Sequence, residues 1–456
     1  MKKLFGTDGI RAKAGEFPLD DETIFKIGAA VARYFASETK KSPRFLMGRD
    51  TRESGAHIEA LFNAGATSEN AECRTAEIVP TPAVAYLTKA GGFDAGVVIS
   101  ASHNPFDDNG IKIFLPTGVK ISEEAERRIE ADIRSLKVRK SAVKPLFPST
   151  ENSSKYKWSY FEGIVREFKG LDTRRIKIIL DCANGAASEM APALIEIFGA
   201  DICPINNRPD GRNINETCGS TCIEGLRAEV LREKANLGIA FDGDADRALF
   251  IDRSGNLVDG DSVLWILANY FSQNGELPSG RVVSTVMSNI GLEIALRKKG
   301  IDFVRTDVGD KYVLDELLKN GGELGGEQSG HIIFPNRSLA GDGIRTALMV
   351  LQAMRASKAS LAKLAAGFRR YPQILVNVPV REKIPFTEMP QLGPILREIE
   401  TELEGRGRLL LRYSGTENIA RIMIEGKSDS AIGAHAKRIA AVIESAGAGR
   451  RTARLE

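Results

Sequence analysis

The chain has 456 residues, 43% hydrophobic and 27% charged, with 63 basic against 60 acidic side chains and a formal net charge of +3. That length exceeds what one hydrophobic core holds and calls for about three or four domains, and the composition excludes a disordered or fibrous chain. Near-balanced charge gives no global field to attract nucleic acid or an anionic membrane, so neither is expected as a partner and any anion site must be a local cluster.

At the start, MKKLFGTDGI, two lysines precede a stretch that Gly6, Thr7 and Asp8 interrupt before a signal-peptide core can form. No later run approaches the roughly 18–20 apolar residues that cross a bilayer, and a cytoplasmic location is expected. Cys73, Cys182, Cys203, Cys218 and Cys222 are odd in number and scattered, which reads as reduced thiols rather than a zinc site or disulfide framework.

Along the chain, RFLMGRDTRESGAHIEALFNAG, IKIILDCANGAASEMAPALIEIFG and RVVSTVMSNIGLEIALRKKG share one pattern: an apolar strand, a small or polar loop, then a helix. Each is followed by a second extended run (AECRTAEIV, ADICPIN, IDFVRT) and by a third strand ending in an unusual loop: ISASHNP, FDGDADR and GGEQSGH. This is a threefold repeat of α/β type. Ligands of such folds bind outside the carboxyl ends of the strands, so three similar domains about one cleft would let the equivalent loops converge.

From about Tyr371 the pattern becomes ILVNVPV, a helical stretch MPQLGPILREIETELE, the strands RLLLRYSG and IARIMIEG, and a terminal helix near Asp429–Ala446: a separate α+β domain. Turn-rich linker signals lie at Lys144–Ser154, Asp252–Gly255 and Gly367–Pro372. The expected division is 1–150, 151–253, 254–367 and 368–456.

Asp242, Asp244 and Asp246 stand at every second residue of FDGDADR, which on an extended chain puts all three on one side. Unit charges ~4 Å apart repel by about 4 kcal/mol at an effective dielectric near 20, so converging aspartates require a cation, and hard oxygen ligands favour Mg²⁺ or Ca²⁺. A calcium-binding helix-loop-helix would need Gly and Glu where Arg247 and Arg253 stand.

In ISASHNP, Ser102 beside His103 and Asn104 can be a nucleophile or a capping hydroxyl, and Ser100 lies two residues away. Two of the four histidines, His103 and His331, fall in these loops. Gly325–His331 mixes glycines with Glu327, Ser329 and His331, groups suited to sugar hydroxyls and proton movement. Arg412–Asn418 with Arg421 offers an anion cradle on a β-turn. The absence of GxGxxG and GxxxxGK[ST] argues against a dinucleotide or nucleoside triphosphate.

Together FGTDGIR (Phe5–Arg11), SASHNP (Ser100–Pro105), NGIK (Asn109–Lys112), DGDADR (Asp242–Arg247), GEQSGH (Gly326–His331) and RYSGTEN (Arg412–Asn418) resemble the α-D-phosphohexomutase superfamily, and the resemblance runs through the whole chain. It implies three similar α/β domains with mixed sheets around a central cleft plus a C-terminal α+β domain. It also implies a phosphorylated Ser102, with Mg²⁺ held by its phosphate and by Asp242, Asp244 and Asp246. Arg11, Lys112, Arg247 and His331 would surround the transferring phosphoryl group or move protons, and Glu327 and Ser329 would grip sugar hydroxyls. Arg412, Ser414, Gly415, Thr416 and Arg421 would anchor the phosphate that is not reacting. The glutamine of GEQSGH and the SGTE form of the last loop look like the glucosamine branch, which interconverts glucosamine 6-phosphate and glucosamine 1-phosphate through a 1,6-bisphosphate. The implied partner is thus a small-molecule hexosamine phosphate, with a homodimer left open. Mutases of glucose or mannose phosphates, and a serine-nucleophile metal-dependent phosphatase, are the alternatives. Ala12 and Asn418 depart from the family pattern, where Gly and Pro are usual.

Overall fold

A computed structural model describes residues 3–6, 8–414 and 418–452, with the backbone alone over 447–452. The described residues of Met1–Met287 and Ile301–Gly367 pack as one compact unit, and those of Ser288–Gly300 and Phe368–Glu456 as another.

The first unit holds three sheets. In the first, β1 (Phe5–Gly6), β2 (Gly9–Lys13), β3 (Arg44–Arg49), β4 (Glu72–Ile78), β5 (Ala95–Ile99) and β6 (Asp108–Phe114) lie in the order β1-β2-β6-β5-β3-β4. The second orders β7 (Lys177–Asp181), β8 (Asp201–Ile205), β9 (Leu237–Phe241), β10 (Ala248–Asp252) and β11 (Leu257–Val258) as β11-β10-β9-β7-β8. The third orders β12 (Arg281–Thr285), β13 (Asp302–Thr306), β14 (Gly325–Gly326) and β15 (Ile332–Ile333) as β13-β12-β14-β15.

One four-stranded unit recurs in all three: β4-β3-β5-β6, β8-β7-β9-β10 and β13-β12-β14-β15, each with three parallel strands and an antiparallel fourth. The faint threefold pattern of the sequence is therefore a structural repeat with mixed sheets. Each odd loop joins the third strand of a repeat to its antiparallel fourth, at the carboxyl end where such folds place ligands.

Parallel strands covered on both faces read as continuous apolar runs, and β5 and β9 are buried along their whole length. Helices close the layers with ordinary caps. Asp20 accepts from Thr23 N at 3.1 Å to start the helix Asp21–Thr39, and Ser122 accepts from Ala125 N at 3.2 Å to start Glu123–Ser135. Phe45, Met47, Val97, Ile99, Ile111 and Ile113 form one core with Ile27, Val31, Ile58 and Phe62.

Two features of the sequence take their place here. Asp252–Gly255, where the expected division between 253 and 254 falls, forms the tip of the β10–β11 hairpin: the Asp252 carboxylate accepts from Ser254 N at 2.7 Å and Asn256 N at 3.0 Å. And Ala12, the departure from the family's usual Gly, is a regular strand residue in β2 opposite Asn109.

In the second unit, β16 (Gln373–Pro379), β17 (Arg408–Tyr413) and β18 (Ile419–Glu425) form an antiparallel sheet in the order β16-β18-β17. Helices Leu392–Leu403 and Asp429–Thr452 bury Leu392, Ile399, Ile432, Ala436, Ile439 and Ile443 against Ile422 and Ile424. The α+β reading of this segment holds. Among the described residues no helix is long and apolar enough to cross a membrane.

Candidate active site

The first loop leaves β5 and turns sharply at Ser102, whose φ of +53° is a conformation L-residues rarely adopt. Its N–H donates to Ser100 Oγ at 2.9 Å, and its own Oγ donates to Asp242 Oδ2 at 2.6 Å. Ser100 is fully buried and its hydroxyl also reaches Asp50. Of the two serines, Ser102 meets the acidic loop and Ser100 supports the turn. His103 Nδ1 lies 3.4 Å from Ser102 Oγ; burial, then Arg247 and Arg11, push this imidazole down to about 4, so it is neutral at physiological pH.

The three aspartates converge by a route the alternation argument did not foresee. Asp242–Asp246 is a turn rather than an extended run: Ala245 N donates to Asp242 O at 3.0 Å, and Ala245 has a φ of +56°. The curl brings one oxygen from each buried carboxylate within 4.8 Å of the others. Asp244 Oδ2 accepts from Lys112 Nζ at 2.8 Å and Thr81 Oγ1 at 2.6 Å, whereas Asp244 Oδ1 and Asp246 Oδ1 are buried without a hydrogen-bond partner among the described residues. Buried carboxylate oxygens left so are costly, and a hard divalent cation satisfies both their charge and their lone pairs. The donor set fits a metal.

Charges around this turn are tightly balanced. Burial, then Asp246 and Asp244, push Asp242 well above the usual carboxylate range. Burial acts the same way on Asp246, but His331, Lys112 and Arg247 outweigh it and hold that group well below. Lys112 is almost fully buried; its loss of solvation is overcome by Asp244 at 2.8 Å, Asp8 at 3.0 Å and Asp246 at 3.6 Å, so it stays a cation. Lys112 lies on β6, and the β1–β2 hairpin beside it brings up Asp8 and Arg11, which pair with each other. Gly9 makes that approach feasible: its φ is +80°, and a Cβ there would lie 2.4 Å from Ile111 O.

The third loop closes on the second. Ala248 N donates to Gly330 O at 3.1 Å, and His331 Nδ1 lies 3.6 Å from Asp246 Oδ1. His331 Nε2 lies 3.2 Å from the Gly341 N–H, which favours a bare nitrogen, and 3.5 Å from Asp310. Burial lowers this imidazole, but Asp246 and then Asp310 outweigh burial and Lys120, and the ring is pushed up to about 9. Glu327 accepts from Gly309 N at 3.1 Å, and the buried Ser329 Oγ has no hydrogen-bond partner among the described residues. Arg247 feels Asp246, Asp242 and Glu327. Ser102, Arg11, Lys112, Arg247, His331, Glu327 and the three aspartates thus come from three repeats to one place.

In the second unit, Arg412 and Arg421 are direct partners across β17–β18, and Asn377 lies opposite Arg421 on β16. Directly opposed residues share a face, so two guanidinium groups and an amide form one row. Ser414 N donates to Ile419 O at 2.9 Å, and Lys383 Nζ donates to Ser414 O at 2.7 Å. Gly415 and Thr416 lie outside the described residues.

Several site residues went unforeseen. Lys120 joins Asp8 to Asp310, at 2.6 Å from the latter, and Asp310 reaches His331. Arg52 pairs with Asp50, Thr81 holds Asp244, and Asn215 touches the Ser102 loop. Asp8 was legible only as part of FGTDGIR, and nothing local marks Lys120 or Asn215.

Family models described as phosphoglucomutase/phosphomannomutase match in four consecutive pieces: alpha/beta/alpha domain I over residues 2–140, domain II over 159–255, domain III over 259–371 and the C-terminal domain over 375–442. The chain belongs to the phosphoglucomutase/phosphomannomutase family. Among curated relatives, the phosphoglucosamine mutase of Solibacter usitatus (strain Ellin6076) is 44% identical over 449 residues, covering 97% of this chain and 98% of that one. That of Acetivibrio thermocellus is 45% identical over 448 residues, with 97% and 99% covered. The fold matches a Burkholderia thailandensis phosphoglucomutase/phosphomannomutase family protein with a TM-score of 0.78 at 22% identity, covering 97% of each chain. It also matches Aspergillus fumigatus N-acetylphosphoglucosamine mutase in complex with GlcNAc-6P and magnesium, with a TM-score of 0.68 at 18% identity over 97% and 96% of the chains. As a member of this family the chain is a phosphohexomutase, an isomerase.

Proposed function

We propose that this phosphohexomutase interconverts glucosamine 6-phosphate and glucosamine 1-phosphate, with Ser102 as the phosphoryl carrier and Mg²⁺ as the metal. The observation that carries the reading of the site is the 2.6 Å approach of Ser102 Oγ to Asp242 within a ring of three buried aspartates and several cations. The sugar assignment rests on the relatives at 44–45% identity over nearly the whole chain.

The phosphate of phosphoserine 102 passes to the free hydroxyl of glucosamine 6-phosphate, forming a P–O bond to the sugar and breaking the one to Oγ. The resulting 1,6-bisphosphate turns over and returns its other phosphate to Ser102, releasing glucosamine 1-phosphate. Phosphoryl transfer asks mainly for positioning and charge neutralisation. Lys112, Arg247 and Arg11 supply cations around the serine, His331 beside them is the group for proton transfer, and Glu327 and Ser329 are the groups for sugar hydroxyls. Asp242, Asp244 and Asp246, with the Ser102 phosphate, would hold Mg²⁺, which supplies further neutralisation of phosphoryl charge. Arg412, Ser414, Gly415, Thr416 and Arg421 anchor the phosphate at rest, in a fourth domain that has to accept either end of the sugar. The division 1–150, 151–253, 254–367 and 368–456 and a cytoplasmic location complete the reading.

Coupled assays on glucosamine, glucose and mannose 6-phosphates, with peptide mass spectrometry across Ala90–Lys112, test it. The highest kcat/KM on glucosamine 6-phosphate and phosphate on Ser102 are expected. A higher kcat/KM on mannose 6-phosphate overturns the sugar, phosphate on Ser100 overturns the nucleophile, and stoichiometric release of inorganic phosphate overturns the mutase in favour of a phosphatase.

A further inference from the structure

A serine that alternates between a free and a phosphorylated hydroxyl cannot be positioned through that hydroxyl, because the chemistry consumes it. Its place has to be set through the main chain. At Ser102 the need is acute, since a φ of +53° is a strained conformation for an L-residue and persists only where the surroundings over-determine it.

We propose that Asn215 is a positioning residue for this serine: its side-chain amide, reaching over from the second repeat, clamps the carbonyl oxygens of Ser102 and Asn104 and so fixes Ser102 Oγ against Asp242. The inference rests on Ser102 being the phosphoryl carrier. Asn215 Nδ2 donates to Ser102 O at 2.9 Å and to Asn104 O at 3.0 Å. The same two carbonyls accept from Arg52 Nη2 at 3.2 and 2.6 Å, and Arg52 is held by Asp50. Arg52 belongs to the same repeat as the serine, so it can shape the loop but cannot set its distance from the aspartates. Asn215 belongs to the repeat that carries Asp242, and its clamp ties the two loops together directly.

Asn215 has no other side-chain task among the described residues: its Oδ1 is buried without a hydrogen-bond partner. Its backbone is anchored separately, N–H to Ala183 O at 2.9 Å, with a φ of +58° that asparagine tolerates. Gly243 removes the slack on the far side, because a Cβ there would lie 2.6 Å from Ser102 O and 2.8 Å from Asn215 Nδ2.

Asn215→Asp keeps the shape and turns a donor into an acceptor facing two carbonyls; Asn215→Gly keeps the left-handed backbone and deletes the amide. On the full chain, kcat and KM for glucosamine 6-phosphate, the single-turnover rate of labelling Ser102 from a hexose 1,6-bisphosphate, and Tm are measured together. A displaced reacting atom costs roughly 10–100-fold in rate, so kcat and the labelling rate should both fall by that factor, further in Asn215→Asp, while KM holds and both variants still unfold cooperatively near the wild-type Tm. Wild-type kcat in both variants overturns the proposal, as does a loss of kcat matched by a loss of folded protein in both. Wild-type enzyme labelled at another residue overturns the Ser102 reading itself and this inference with it; Ser102 labelling in wild type with unaffected variants overturns the inference alone.

Discussion

The serine and aspartate loops of the first unit and the arginine row of the second are built to opposite specifications. Ser102, Lys112 and the three aspartates are no more than 5% exposed, held by hydrogen bonds from neighbouring repeats, with backbone bends at Ser102 and Ala245 that only close packing sustains. Arg412 and Arg421 are half-buried on regular β-strands with no unusual backbone. The difference teaches where rigidity is useful. Charge that neutralises a transferring phosphoryl group acts best when pre-organised away from water. In the proposed roles, a phosphate that only has to be held, and held from either end of a sugar, is served by cations on a surface it can leave.

The contrast can be broken by substitution. Ser102→Ala should have the largest effect, a loss of roughly 10⁴-fold or more in kcat with sugar-phosphate binding retained, read by steady-state kinetics and by calorimetric titration. Asp246→Asn should lower kcat by roughly 10²–10³-fold, and chelation should abolish wild-type activity until Mg²⁺ is restored. Gly243→Ala tests the close packing of the loops: with a Cβ 2.6 Å from Ser102 O, it should destabilise by about 1–3 kcal/mol in denaturant unfolding and lower kcat as well. Arg412→Ala should have the mildest effect, raising KM by roughly 10–100-fold, the worth of a charge-assisted hydrogen bond, with kcat and Tm little changed. If Arg412→Ala instead abolished kcat as Ser102→Ala does, the division between the two regions would fail.

Much of this was legible in the linear chain, because the governing interactions are local. Apolar runs and glycine-rich loops at regular spacing marked three repeats, and strand pairing bears them out down to the antiparallel fourth strand. The three aspartates converge as expected, but by a different route. Alternation on an extended chain predicts one face, whereas Asp242–Asp246 converge because the chain curls through a left-handed Ala245, a conformation no local propensity assigns to alanine. Asp252–Gly255 shows how little turn residues alone say about packing, since a hairpin tip and a domain linker use the same ones.

By itself the sequence determined the repeat, the strand ends that carry chemistry, the acidic and basic residue types gathered there, and the α+β character of the last segment; all follow from side-chain period, turn chemistry and charge. Only the tertiary structure decided which serine faces the aspartates, that Lys120 bridges Asp8 and Asp310, and that Asn215 reaches the Ser102 loop from 113 residues away. Such pairings depend on how separately folded repeats meet, and a contact between distant segments leaves no periodic mark on either one.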